Sequence, residues 1–146
     1  MKKKSTAVIG MMVLVCFMMM ATFTWALGVP NGTVTDGNLV WLQNANCFGG
    51  LTWNQAMDRA ASLKSGSCGL TDGSTAGQWR LPTKDELVRR SKKQQGFNNV
   101  QAGYYWSSST DAANTAIAWF VVMNVGIADL DYKVNYFYVW PVRSGK

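Results

Sequence analysis

The chain has 146 residues, and its first 26 or so read as an export signal, so about 120 remain to fold, enough for one domain and too few for two. Fourteen basic and 8 acidic side chains give a net charge of +6; without Lys2, Lys3 and Lys4 of the signal the balance is 11 against 8, or +3. The absence of histidine excludes a Ser-His-Asp or Cys-His nucleophile pair, a histidine-ligated zinc and a histidine general base.

Lys2 to Lys4 form a positive start, and Ala7 to Met20 form an apolar run of 14 residues before a more polar stretch. Thr24-Trp25-Ala26 offers cleavage after Ala26, with a cut after Gly28 as the alternative. An uncleaved anchor competes, but the run is shorter than the roughly 20 residues of a spanning helix. Cys16 lies mid-run, after Val15 and before Phe17, which does not suit a lipoprotein site. The mature domain, 27–146, is expected in the periplasm or outside the cell. Two cysteines stay in it, and in an oxidising compartment Cys47 and Cys68 are expected to pair.

Thr33-Val34-Thr35 and Leu39 to Gln43 flank the turn Asp36-Gly37-Asn38, which predicts an opening hairpin. Thr52 stands three residues before Gln55, a capping-box spacing, and apolar residues recur at helical intervals from Trp53 to Leu63; the spacing predicts a helix over Thr52 to Lys64. Ser65 to Gln78, with four glycines, reads as a surface loop held at Cys68. Thr83 and Glu86 repeat the capping box and predict a second helix over Lys84 to Lys93. Strands follow: Tyr104 to Ser108, Ile117 to Met123, Ile127 to Asp131, and one long strand from Tyr136 to Arg143. Helices early and strands late indicate an α+β domain.

The residues Trp41, Trp53, Trp79-Arg80-Leu81-Pro82-Thr83 with Glu86-Leu87, Tyr105-Trp106-Ser107-Ser108, Trp119 and Val142-Arg143 resemble, in order and spacing, the DUF1566 family, also called the Lcl C-terminal domain after a collagen-like adhesin. The likeness covers Val34 to Arg143. It implies a C-type-lectin-like fold, with two helices packed on a twisted antiparallel sheet, in exported bacterial proteins. In the adhesin this domain trimerises behind a collagen-like stalk and binds sulfated glycosaminoglycans; this chain has no Gly-X-Y repeat, so a trimer is not expected on that ground. Many relatives carry a cysteine between the positions of Val142 and Arg143, so one disulfide of the wider family is expected to be missing.

The 15 aromatic residues after the signal could form an exposed sugar-gripping row, but burial is the expectation for Trp41, Trp53, Trp79, Trp106 and Trp119. Tyr136, Tyr138 and Trp140 share a face of the expected last strand and are ligand-binding candidates. Arg89, Arg90, Lys92 and Lys93 place four charges in five residues, which would attract sulfate, phosphate or lipid headgroups; a solvated helix end favoured by the helix dipole is the plainer reading. Asp72, Asp111, Asp129 and Asp131 lack calcium-loop spacing, and no Glu-Pro-Asn or Trp-Asn-Asp sugar-and-calcium signature occurs. The lectin-like superfamily includes formylglycine-generating oxidases, which need a reactive cysteine pair holding copper, whereas Cys47 and Cys68 look structural. Nothing in the spacing of Asp85, Glu86, Asp129 and Asp131 argues for a hydrolytic carboxylate pair. Nucleic acid is not an expected partner of an exported domain at +3. The expectation is therefore a non-enzymatic, cofactor-free binding domain for an anionic glycan or other envelope ligand, with an envelope assembly subunit as the alternative.

Overall fold

The computed structural model describes residues 30–145, so the expected signal and its cleavage positions lie outside the described residues. The hairpin that opens the domain pairs β1 (Thr33–Asp36) with β2 (Leu39–Leu42) through Gly37 and Asn38. Gly37 sits at φ +59°, the positive value that a two-residue hairpin loop asks of its first position. After β3 (Gly50–Leu51), a capping box starts α1 (Trp53–Ser62): Thr52 Oγ1 accepts from the Gln55 N–H, and Gln55 Oε1 accepts from the Thr52 N–H. The helix stops before the expected Lys64. Its inward Ala56 and Ala60 belong to one core, while Leu63, extended at the cap, is buried in another, so the chain leaves the helix to bury it.

The second box starts α2 (Lys84–Ser91), and Glu86 here serves two partners. Its carboxylate accepts from the Thr83 N–H at 2.8 Å and from both terminal nitrogens of Arg80 at 2.8 and 2.9 Å. Three strands follow in series, β4 (Tyr104–Thr110), β5 (Ile117–Val122) and β6 (Ile127–Tyr132), and then the short β7 (Phe137–Tyr138) and β8 (Val142–Ser144).

The strands form two sheets where one was expected. One is the antiparallel β1-β2-β8; the other has the order β3-β7-β4-β5-β6 and is antiparallel except at β4 and β7. The expected strand Tyr136 to Arg143 is split between them. Pro141 has no N–H to continue a ladder, and its carbonyl accepts from the Leu42 N–H at 3.0 Å as the chain crosses over.

Alternation along β4 and β5 gives the larger sheet two dry faces. Tyr105 and Val121 enter a core with Trp41, Leu70, Trp79, Leu87 and Trp140, whereas Trp106, Ala118 and Phe120 enter a second core with Ala56, Ala60 and Leu81. Trp41, Trp79, Trp106 and Trp140 are fully buried. Trp53 and Trp119 are only half-buried, each with a lysine ammonium over its ring, Lys133 at 4.1 Å and Lys84 at 4.3 Å.

The Tyr-Trp-Ser-Ser stretch runs into a bulge in β4 between Trp106 and Thr110. There Ser107 Oγ donates to the Trp119 carbonyl, the Ser107 carbonyl accepts from Trp53 Nε1, and the Ser108 N–H donates to the Pro82 carbonyl. At the bulge the backbone of Ser107 and Ser108 and the Ser107 hydroxyl thus find partners outside the β4–β5 ladder register.

Cys47 and Cys68 are joined in a disulfide with a Cα separation of 5.7 Å. Closing that loop stabilises the fold by about 3 kcal/mol on a chain-entropy view. The 65–78 loop is held again further on, where Trp79 Nε1 donates to Ser74 Oγ, Ser74 Oγ donates to Asp72 Oδ1, and Arg143 Nη2 reaches Asp72 Oδ2 at 3.0 Å.

Candidate functional site

Four charges within five residues at a helix end do not all face the same way, because a helix turns by about a quarter to a third of a circle per residue. Arg90 stands three residues after the buried Leu87 and shares its face. It is only 4% exposed, and its guanidinium lies between aromatic rings, 4.6 Å from the centre of Trp41 and 4.7 Å from that of Phe97. Nη2 meets Asp36 Oδ2 at 2.6 Å and Nη1 donates to the Lys93 carbonyl at 2.9 Å. Arg90 is thus corrected from a ligand-binding candidate to the pin between α2 and the β1–β2 hairpin. Burial pulls its pKa below the ordinary arginine value, against the opposing pull of Asp36.

Arg89, Lys92 and Lys93 remain exposed, and among the described residues none of the three is in an ion pair. They line a cleft of about 570 Å³ between the end of α2 and the hairpin, together with Asp36, Asn38, Leu39, Trp41, Glu86 and Arg90. Both carboxylates of this cleft are committed to guanidinium groups, Asp36 to Arg90 and Glu86 to Arg80. The free charge in the cleft is positive, and a partly enclosed cationic cleft concentrates anions from solution.

The aromatic candidates separate. Trp140 is fully buried, with Nε1 donating to the Leu42 carbonyl at 2.8 Å, so it is corrected to a core residue. Tyr138 is half-buried against Tyr105, with ring centres 5.3 Å apart. Only Tyr136 is open, at 69%. The three do not share a surface, because the strand expected to align them divides between two sheets. None of them lines the cleft.

The cleft's hairpin side was missed from sequence. Asp36 reads locally as a turn residue, and its partner Arg90 is 54 residues away. The three-residue spacing of Leu87 and Arg90 is the signal that could have shown one of the four cations turning inward.

Arg80 and Arg143 also perform structural work. Arg80 bridges to Val142 through two backbone bonds of 2.9 Å while its side chain holds Glu86, and Arg143 stacks over Trp79 at 5.3 Å while holding Asp72. For Glu86 and Asp72, burial alone would raise the carboxyl pKa. Hydrogen bonds from Arg80 and Thr83 to the first, and from Ser74 and Arg143 to the second, outweigh it and hold both below their ordinary values.

A carboxylate whose folded pKa is depressed stabilises the fold above its unfolded pKa, and that contribution is lost as pH falls through the folded value. Stability should therefore hold down to the ordinary values of 4.5 for glutamate and 3.8 for aspartate, and fall below them. Acid titration followed by circular dichroism checks this, and Glu86→Gln should make the fall shallower. A fall beginning near neutral pH would contradict it.

Among the described residues no three Cys, Asp or Glu side chains gather to hold a metal, and no helix is long and apolar enough to cross a membrane. The fold is that of an α+β domain with two capped helices against mixed and antiparallel sheets, carrying a cationic cleft at one helix end. The chain belongs to the Lcl C-terminal domain family, the DUF1566 family, whose model matches residues 32–143. No curated protein matches the chain.

Proposed function

We propose that the protein is a non-enzymatic, exported, lectin-like domain that binds an anionic ligand of the cell envelope, such as an acidic glycan, in the cleft beside α2. The observation that carries this reading is the grouping of Arg89, Lys92 and Lys93, all free of ion pairs among the described residues, around a cleft whose carboxylates are already matched by arginines. A lectin-like architecture is supported by the placing of β1 and β8 on either side of β2, which brings the two ends of the domain together. Export is supported by the N-terminal signal pattern and by the disulfide. The binding reading, in place of an oxidase, is supported by the pairing of Cys47 with Cys68.

The test is retention on an immobilised acidic polysaccharide such as heparin. The protein should elute at a salt concentration that falls sharply when Arg89, Lys92 and Lys93 are changed to serine, because exposed charges are screened over about 10 Å at 0.1 M salt. Unchanged elution of that triple variant would remove the cleft from the account.

A second reading, an assembly subunit of an envelope complex, is favoured by a separate feature. Tyr132, Val134 and Tyr136, on and beside the β6–β7 connection, are 58%, 72% and 69% exposed, an apolar surface of the kind that meets a protein partner. A stable complex copurifying through that segment would favour it over the cleft.

A further inference from the structure

We infer that the ligand of the cleft is an organic phosphate that also carries hydroxyl groups, a phosphorylated sugar or polyol. The inference rests on the anionic-ligand reading above and narrows it from what the walls of the cleft offer.

The first observation is a supply of unmatched donors. Trp41 Nε1 and Arg90 Nε are buried and have no hydrogen-bond partner among the described residues, and both residues line the cleft. Trp41 is 1% exposed and Arg90 4%, so bulk water does not relieve them. A buried N–H left unpaired costs about 1–3 kcal/mol, so a slight opening of this wall that let an oxygen acceptor reach Trp41 Nε1 would be favoured. With the cations of Arg89, Lys92 and Lys93 at the rim, the acceptor that suits them is an oxyanion.

The second observation is an acceptor within this cationic cleft. Asp36 gives Oδ2 to Arg90, while Oδ1 takes no hydrogen bond among the described residues, and the side chain is 45% exposed. A free carboxylate oxygen repels a fully ionised group such as sulfate. It accepts a hydrogen bond from a hydroxyl, or from a phosphate oxygen that still holds a proton, which phosphate monoesters do in part near neutral pH because their second pKa is about 6. Donors and one acceptor in the same cleft therefore select an anion with its own O–H groups over one without.

Size and charge agree. A cleft of about 570 Å³ accommodates a small molecule or a single headgroup. Arg90 matches Asp36 and Arg80 matches Glu86, which leaves the charges of Arg89, Lys92 and Lys93 to meet a phosphate in either its singly or its doubly ionised form.

The test is titration of the nitrogen-15 labelled protein with glycerol phosphate, inorganic phosphate and inorganic sulfate at constant ionic strength, following the indole N–H resonance of Trp41. Glycerol phosphate should shift that resonance and bind about tenfold or more tightly than sulfate, the margin expected of one added charge-assisted hydrogen bond, with inorganic phosphate between them. Asp36→Asn should narrow the margin; because that change also touches Arg90, the comparison of the three anions on the unaltered protein decides the matter by itself. Vesicles of phosphatidylglycerol in phosphatidylcholine separate the sources. Binding to them, displaced by glycerol phosphate, assigns a lipid headgroup, and binding of free glycerol phosphate alone assigns a soluble or polymer-borne phosphate. Equal affinity for sulfate and glycerol phosphate would overturn the inference and leave anion binding standing. Loss of heparin retention in the triple variant with no response to any of the three anions would also overturn it, while absence of both retention and response would remove the anionic reading as well.

Discussion

Changing Trp140 to alanine should lower stability by about 3–5 kcal/mol, the range for removing a large aromatic side chain from a packed core. Trp140 is where the two sheets are joined. It lies between β7 of one and β8 of the other, its ring contacts Trp41, Phe97 and Tyr105 at centre distances of 5.5, 4.9 and 5.7 Å, and its indole N–H donates to the Leu42 carbonyl. Truncation opens a cavity and leaves that carbonyl without the indole donor. For a domain of this size the loss corresponds to a fall in Tm of roughly 12–30 °C. Phenylalanine in its place should recover part of the packing but not the hydrogen bond, and so fall between. A melting temperature within a few degrees of the unaltered protein would mean that the two sheets are not held together here.

The second large effect is expected at Arg90, and it should look unlike that of its neighbours. Arg90→Ala removes the plate stacked between Trp41 and Phe97 and the bond to Asp36, and should cost about 3 kcal/mol from lost packing and cation–π attraction together. Arg90→Met should cost less, since it refills the space and leaves Asp36 half-exposed, where water can hydrate it. Arg90→Lys should not restore full stability, because an ammonium lacks the planar fork that stacks on a ring while meeting a carboxylate. Thermal melts of the three variants check the order. Alanine and methionine variants of equal stability would show that filling the space does not matter.

What the sequence made legible was local. Thr52 with Gln55 and Thr83 with Glu86 mark both helix starts, because a capping box is written within four residues. Gly37 marks the first hairpin, and β4 to β6 fall on stretches whose composition reads as strand. The disulfide followed from the two cysteines that lie outside the expected signal. Relations set by distant partners were not legible. The β3 strand has two residues, too few for a period, and exists only because Phe137 and Tyr138 pair with it. The last strand reads as continuous, since a proline at a crossover between sheets looks like a proline at a strand edge. The basic cluster was found as a cluster, but its division into one inward and three outward cations depends on Asp36, Trp41 and Phe97, supplied by the β1–β2 hairpin and by the segment after α2.

The central claim is that the helix end divides its labour, with Arg90 holding the fold and Arg89, Lys92 and Lys93 holding a ligand. One paired measurement tests it most directly: the melting temperature and the salt concentration of elution from heparin, for Arg90→Ala beside the triple serine variant. The account predicts that the triple variant keeps its melting temperature within a few degrees and loses its retention, while Arg90→Ala melts roughly 10 °C or more lower and, below that temperature, is still retained. A triple variant that unfolds early, or one that is retained as firmly as the unaltered protein, would contradict it.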